Sequence, residues 1–206
     1  GGKTMSMAHM ADGQSQPLDE TLNELLRAMQ TAHLRDGFAD LALRCDRLGR
    51  IGAMVRENQN TIIAAIDADF GGRSREETLL AEVFTTLSSV RHAKGGVAKW
   101  MRPRRRAMDL AFKPARATLL PQPLGVAGII SPWNYPLLMA LSPLVGALAA
   151  GNRAMVKPSE FTPRTSELLA EMIAKKFTAD EVAVVQGGVE VGAAFAALPF
   201  DHLFFT

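Results

Sequence analysis

Apolar residues recur at helical spacing through the first hundred positions, then give way to short β-branched runs that alternate with helical ones. Leu22, Leu25, Leu26 and Met29 share one helical face behind Asp19, a candidate cap. Leu41, Cys45, Leu48, Ile51 and Val55 repeat that spacing. Glu57 to Asn60 interrupts it, and Ile62, Ile63, Ile66 and Phe70 resume it up to Gly71-Gly72. Ser74 and Glu77 have capping-box spacing and open a long helix towards Trp100. Leu79, Leu80, Val83, Phe84, Leu87 and Val90 are its expected inward face, and Gly95-Gly96 is expected to weaken its last part. The first hundred residues therefore predict an antiparallel helical layer.

From Gly125 the pattern changes. Val126 to Ile130 is short, β-branched and bounded by Gly125 and Pro132, which suits a buried parallel strand. A helix over about 137–150 comes next and stops at Gly151. Ala154 to Lys157 predicts a second strand. Thr162 as a capping hydroxyl with Pro163 behind it predicts the next helix, carrying Leu168, Leu169, Met172, Ile173 and Phe177 inward. Val182 to Val185 is a third strand, followed by Gly187-Gly188, a small-residue helix over about 189–198 and a fourth, buried strand from His202 to Phe205. The alternation identifies an α/β fold: an N-terminal helical layer followed by the first half of a Rossmann-like parallel sheet with right-handed crossovers. An apolar strand followed by a single Thr is expected to belong to a longer chain.

Residues 101–115 fit neither pattern. Arg102, Arg104, Arg105 and Arg106 surround Pro103 and suit a phosphate or membrane-surface contact, but better a solvated linker. Ala117 to Pro121 reads as extended. The boundaries implied are 1–17 (appended residues or disorder), 18–106 (helical), 107–124 (extended linker) and 125–206 (cofactor-domain half).

Composition narrows the function classes. With 206 residues, 48% hydrophobic and 21% charged, and a net charge of +2, the chain is not a dedicated nucleic-acid binder. One cysteine excludes an internal disulfide framework and makes a reducing cytoplasmic setting the default. No apolar run reaches the roughly 18 residues that span a bilayer.

Candidate chemistry is sparse. No Cys/His cluster has metal-ligand spacing, so no metal is expected; His33 and His92 lie on helices, and Cys45 reads as a small buried hydrophobe rather than a nucleophile. A phosphate-binding P-loop, a G-x-S-x-G elbow and the G-x-G-x-x-G fingerprint are all absent. What stands out is Asn134, between Pro132 and Pro136 just past a buried strand, where open α/β sheets bind ligands. By itself it is equally a turn-forming Asn. The residues alone imply a parallel α/β, nucleotide-binding domain.

Two long stretches carry a resemblance. Pro123-Leu-Gly-Val-Ala-Gly-Ile-Ile-Ser-Pro-Trp-Asn-Tyr-Pro136 resembles the proline-tryptophan-asparagine motif of the aldehyde dehydrogenase superfamily. Ala149-Ala-Gly-Asn-Arg-Ala-Met-Val-Lys-Pro-Ser-Glu160 resembles that family's lysine-containing cofactor motif, in matching order and separation. The likeness runs over roughly residues 40–206, with Asp69-Phe-Gly71 and Phe205-Thr206 as lesser landmarks. Arg73 to Thr78, Trp100 to Arg104 and Lys157 to Pro163 are most similar to the bacterial coniferyl aldehyde dehydrogenases, relatives of the class 3 enzymes.

The resemblance implies NAD(P)-dependent oxidation of an aldehyde to the acid through a cysteine thiohemiacetal, and the subfamily likeness suggests an aromatic, coniferyl-type aldehyde. Asn134 matches the residue whose amide N–H stabilises the oxyanion. Lys157 and Glu160, with Ser159 between them, match the site of the adenosine ribose. A carboxylate at 160 disfavours a 2′-phosphate and so favours NAD, with NADP as the alternative. The backbone of Ile130, Ser131, Pro132 and Trp133 is expected beside the nicotinamide, and Gly187 near the adenine. Residues 107–124 would be one arm of an oligomerisation hairpin, and a small-molecule aldehyde and a homodimer partner would be the partners. The family's pyrophosphate loop, general-base glutamate and nucleophilic cysteine match nothing in the 206 residues, so by themselves these are expected to be inactive and to bind NAD weakly. Two alternatives stay open: a superfamily member handling acyl-CoA or acyl phosphates, and a non-catalytic nucleotide- or partner-binding module.

Overall fold

The computed structural model describes residues 18–206; the expectations for residues 1–17 lie outside the described residues. Its centre is a four-stranded parallel sheet of β3 (Val126–Ile130), β4 (Arg153–Lys157), β5 (Val182–Val184) and β6 (His202–Phe205), in the order β5-β4-β3-β6. The crossovers are helices α6 (Pro136–Ala150), α7 (Pro163–Lys176) and α8 (Val189–Ala196), as the alternation predicts. β3 takes a central place because it is apolar on both faces, and at Gly128 only glycine fits. A Cβ there would lie 2.6 Å from the Phe200 ring. The chain adds β4 and β5 on one side of β3, then returns to add β6 on the other. That reversal is the switch point at which such sheets open a crevice.

The helical layer divides. Helices α2 (Leu41–Glu57), α3 (Gln59–Phe70) and α5 (Thr85–Trp100) pack with α6 and α7 over one face, burying Leu48, Ile51, Met54 and Ile66 against Ile129 and Val156. Helix α1 (Leu18–Asp36) lies on the opposite face with α8, where Leu22, Leu26 and Met29 meet Met155 and Phe195. So the first hundred residues do not form one layer. Strand alternation is the reason: successive residues of β4 face opposite sides, and each side needs a helical cover.

Local expectations are corrected in several places. Asp19 lies inside the first turn of α1 rather than at its cap. Leu41 is exposed and Cys45 is half-buried, while Arg44 and Arg47 of α2 are buried. Ser74 does accept from the Glu77 N–H (3.0 Å), but the short turn α4 (Arg75–Glu77) leads into a π-helical segment, Thr78–Phe84, before α5. The wider π turn rotates the inward face, so Thr78, Glu82 and Thr86 are buried whereas Leu80 and Phe84 are exposed. Helix α5 continues through Gly95-Gly96, and the Trp100 indole lies against Gly96, where a Cβ would come within 2.3 Å of the ring.

Thr162 supplies no side-chain cap to α7. Asp69 does so instead, accepting from the N–H groups of Arg164 (3.0 Å) and Thr165 (2.8 Å). Of the basic residues placed in a linker, all but Arg102 form β1 (Arg104–Arg106), paired antiparallel with β2 (Ala117–Leu119) and exposed along its length. β6, expected to be buried, is an exposed edge; Phe205 is 74% exposed. Among the described residues, no helix is long and apolar enough to cross a membrane.

Candidate active site

Three strands end level with one another. Ile130 of β3 is in register with Lys157 of β4 on one side and Phe205 of β6 on the other, and the Ser131 N–H donates to the Lys157 carbonyl (3.1 Å). β3 is held at its start by Asn152, whose Oδ1 accepts from Leu124 and Gly125 N–H, and by Asp201, which accepts from Val126 N–H (2.7 Å). With the strand fixed at its start, its carboxyl end delivers Ser131 to Tyr135 into the switch-point crevice as a non-helical turn. Pro136 begins α6, where its missing N–H costs nothing.

Within the turn, Ser131 is buried and its hydroxyl has no hydrogen-bond partner; Trp133 and Asn134 are exposed. The Asn134 carbonyl accepts from Arg73 Nη1 (2.9 Å), so the backbone of this exposed residue is held. The Arg73 guanidinium lies 3.7 Å from the Phe70 ring centroid and 5.1 Å from that of Tyr135. The π segment supplies the other support: Glu82 Oε2 accepts from the N–H groups of Leu137 (2.7 Å) and Leu138 (3.1 Å). Burial pushes the Glu82 carboxyl above its ordinary value, although those N–H groups and Arg73 favour its charged form.

On the neighbouring strand end, Lys157 is buried, and its Nζ donates to Glu160 Oε2 (2.9 Å) and to the Pro158 carbonyl (3.2 Å). The Glu160 carboxyl sits below its usual range because its own backbone N–H and then Lys157 stabilise the anion. Ser159 is engaged locally: its Oγ accepts from Phe161 N–H (3.2 Å) and its carbonyl from the Ser166 hydroxyl (3.0 Å). Beyond β5, Gly187 has φ +151, and a Cβ there would strike the Val191 side chain at 2.3 Å. Gly192 on α8 packs beside Lys157, since a Cβ there would lie 3.5 Å from Lys157 Cε.

The structure thus brings Ile130 to Asn134, Lys157 to Glu160 and Gly187 to the carboxyl ends of adjacent strands. It does not bring Cys45 there; that residue lies half-buried on α2. A donor–acceptor pair at Lys157 and Glu160 and an unpartnered buried hydroxyl at Ser131 thus stand together at the carboxyl edge, where open α/β sheets bind ligands. Sequence reasoning missed Arg73, Glu82 and Gly192 as parts of this edge. Glu82 had one available signal: Thr78, Glu82 and Thr86 recur every four residues along an otherwise apolar stretch.

A cleft of about 640 Å³ lies elsewhere. It lies between α5 and α6, lined by Arg44, Ser88, His92, Trp100, Gln122 and Val145 among others. The His92 ring packs against Trp100 there, with centroids 5.5 Å apart. Among the described residues no group of His, Cys, Asp and Glu could hold a metal ion.

Residues 6–206 match the family model "Aldehyde dehydrogenase family". The chain is 53% identical over 188 residues to a coniferyl aldehyde dehydrogenase of Pseudomonas sp. (strain HR199 / DSM 7063), and 46% identical over 188 residues to a probable coniferyl aldehyde dehydrogenase of Caulobacter vibrioides. These alignments cover 91% and 90% of the chain but 38% and 39% of the relatives, so the chain spans well under half of their length. Among solved structures, Staphylococcus aureus AldH in a substrate-bound state superposes with a TM-score of 0.85 at 28% identity, over 88% of this chain and 40% of that one. A mutant P. syringae indole-3-acetaldehyde dehydrogenase in complex with NAD+ gives 0.78 over 91% of this chain and 38% of that one; at 22% identity that likeness shows the fold alone.

Proposed function

Because the chain belongs to the aldehyde dehydrogenase family, we propose that it contributes the cofactor seat and one oxyanion donor to an NAD-dependent aldehyde oxidation. The observation that carries this reading is the Asn134 turn at the switch point of the sheet, level with the Lys157–Glu160 pair on the adjoining strand. Bound NAD would supply the hydride acceptor. Asn134 has a fixed backbone and an exposed carboxamide, so its side-chain N–H can donate to an aldehyde oxygen as negative charge develops there. Such a donor is set in place before the reaction and needs no reorganisation when the charge appears.

Lys157 donates and Glu160 accepts, which matches the two hydroxyls of a ribose. A carboxylate held in its charged form at Glu160 repels a 2′-phosphate, which favours NAD over NADP. Ile130 to Trp133 form the wall beside the nicotinamide, Ser159 shapes the turn that presents Glu160, and Gly187, held at a φ of +151 where a Cβ would strike Val191, stands on the adenine side. No residue among the 206 matches the family's nucleophilic cysteine or its general base, so we expect these residues alone to have no turnover. The substrate follows from the relatives: their names favour an aromatic aldehyde of the coniferyl type. The β1–β2 hairpin suits a dimer contact, and the single cysteine suits the cytoplasm.

The test uses the complete dehydrogenase. Asn134→Ala should lower kcat about 10²–10³-fold and leave the NAD dissociation constant nearly unchanged. An equal loss of both in steady-state kinetics and calorimetry would assign Asn134 a structural role and overturn the reading.

A further inference from the structure

The N-terminus of α6 has no cap of its own. Tyr135 stands at the cap position and supplies no side-chain acceptor. The first-turn amides would be orphan donors, yet Leu137 and Leu138 N–H both donate to Glu82 Oε2, from a residue 55 positions away. Glu82 is fully buried, and its other oxygen accepts from Arg73 Nη1 (3.3 Å). The same Nη1 donates to the Asn134 carbonyl. Were α6 one residue longer at this end, that carbonyl would take the Leu138 N–H. Here each is taken by a different partner, so Asn134 stays out of the helix.

A buried carboxylate is an expensive way to cap a helix, because desolvation opposes its charge before its hydrogen bonds offset it. Placing it also requires the π segment, since an α-helical continuation from Ser74 would turn other residues inward. Meanwhile Arg73 stacks on Phe70 and Tyr135, and Phe70 lies 6.3 Å from Trp133, ring to ring. Each of Trp133, Asn134 and Tyr135 is therefore gripped from the α3–α4 side, and the two residues after Pro136 by Glu82.

We propose that Glu82 and Arg73 are positioning residues: a clamp that fixes the backbone of the Ser131–Tyr135 turn and thereby aims the Asn134 carboxamide at the developing oxyanion. The clamp rests on the reading of Asn134 as an oxyanion donor. It deepens that reading by explaining how an exposed side chain on a turn is pre-set rather than mobile. Glu82 is buried and the Arg73 guanidinium is taken up by Phe70, Tyr135, Glu82 and the Asn134 carbonyl, so the clamp should act on the chemical step and not on NAD affinity.

The experiment is a kinetic cycle in the complete dehydrogenase. Arg73→Ala should lower kcat on the order of 10- to 100-fold, as a misplaced catalytic group does, with KM for NAD within about twofold. Arg73→Lys, which keeps a donor for the Asn134 carbonyl, should recover part of the loss. In an Asn134→Ala background, Arg73→Ala should cost less than about twofold more, since there is no carboxamide left to aim. Independent, multiplying losses would overturn the clamp, as would a folded Arg73→Ala variant with unchanged kcat.

A second measurement separates the clamp from the reading beneath it. In Glu82→Met, which keeps much of the side-chain shape but removes both acceptor oxygens, hydrogen exchange of the peptide containing Leu137 and Leu138 should quicken, and unchanged protection would overturn the clamp whatever the kinetics. If exchange quickens but Asn134→Ala keeps full turnover, the oxyanion reading fails and the proposed purpose of the clamp fails with it.

Discussion

Arg44 shows what one buried side chain can determine. Its Nε donates to the Ala39 carbonyl (2.9 Å) and its Nη1 to the Ala149 carbonyl (3.2 Å), so a guanidinium from α2 stands at the C-terminus of α6. There it meets the negative end of the helix dipole. The guanidinium also lies against Gly151, where a Cβ would come 2.7 Å from Cζ, and Gly151 has φ +91. Gly151→Ala therefore faces two penalties, a left-handed backbone and a displaced arginine. Gly71, with φ +65 and nothing within 4 Å of the place a methyl group would take, faces only the first. Gly71→Ala should cost about 1–2 kcal/mol and Gly151→Ala roughly 2–4 kcal/mol in chemical denaturation. Equal costs would mean that Arg44 moves aside freely.

At the scale of elements, α6 is apolar almost throughout and carries no charged residue, yet both its ends are met by charge of the complementary sign. Glu82 takes the amides at one end and Arg44 a carbonyl at the other. Its partners lie 55 and 105 residues away in the chain. This is why the sequence revealed the helix and its Gly151 stop but not what holds it. Periodicity and stop signals are local; caps lent by another element are not. Strands β3, β4 and β5, their crossovers and the Asn134 turn were legible for the same reason, each being written in a short run of residues. The position of α1, the exposure of Leu80 and Phe84, and the Glu82–Arg73 pair were not. They depend on which face of a finished sheet needs covering and on a π segment that shifts the helical repeat. The cap of α7 is another borrowed one and can be checked directly. Asp69→Ala should destabilise the protein by about 1–2 kcal/mol, whereas Thr162→Ala should cost only a few tenths from any lost cap, since Asp69 already serves the Arg164 and Thr165 amides. The reverse order of melting temperatures would restore Thr162 as the cap.

Across the whole molecule, the two edges of the sheet use a half-buried and a buried carboxylate in opposite ways. At the amino edge, Glu181 precedes β5 and is bound by Arg47 (3.0 Å) and Arg50 (2.9 Å) of α2, while Arg153 at the start of β4 ties down Asp36 and the Ala32 carbonyl of α1. Burial opposes the charge of Glu181, but the hydrogen bonds and charges of Arg50 and Arg47 outweigh it and hold the carboxyl below its ordinary 4.5. At the carboxyl edge, burial of Glu82 dominates its two amide hydrogen bonds and Arg73, and raises its carboxyl above 4.5. The signs are set by linkage. A carboxyl depressed on folding contributes stability above its unfolded value, which is lost as pH falls through the folded one. A carboxyl raised on folding contributes most below its unfolded value and loses that contribution as pH rises through the folded one. The fastening edge is thus reinforced by ionisation, and the edge proposed to carry the chemistry is weakened by it. Denaturation of the wild type, Glu181→Gln and Glu82→Gln between about pH 4 and pH 8 should therefore give difference profiles of opposite slope. The stability advantage of the wild type over Glu181→Gln should shrink on acidification, and its advantage over Glu82→Gln should shrink on going alkaline. Parallel slopes would show that Arg73 and the α6 amides fully compensate the burial of Glu82, and that the carboxyl edge carries no such cost.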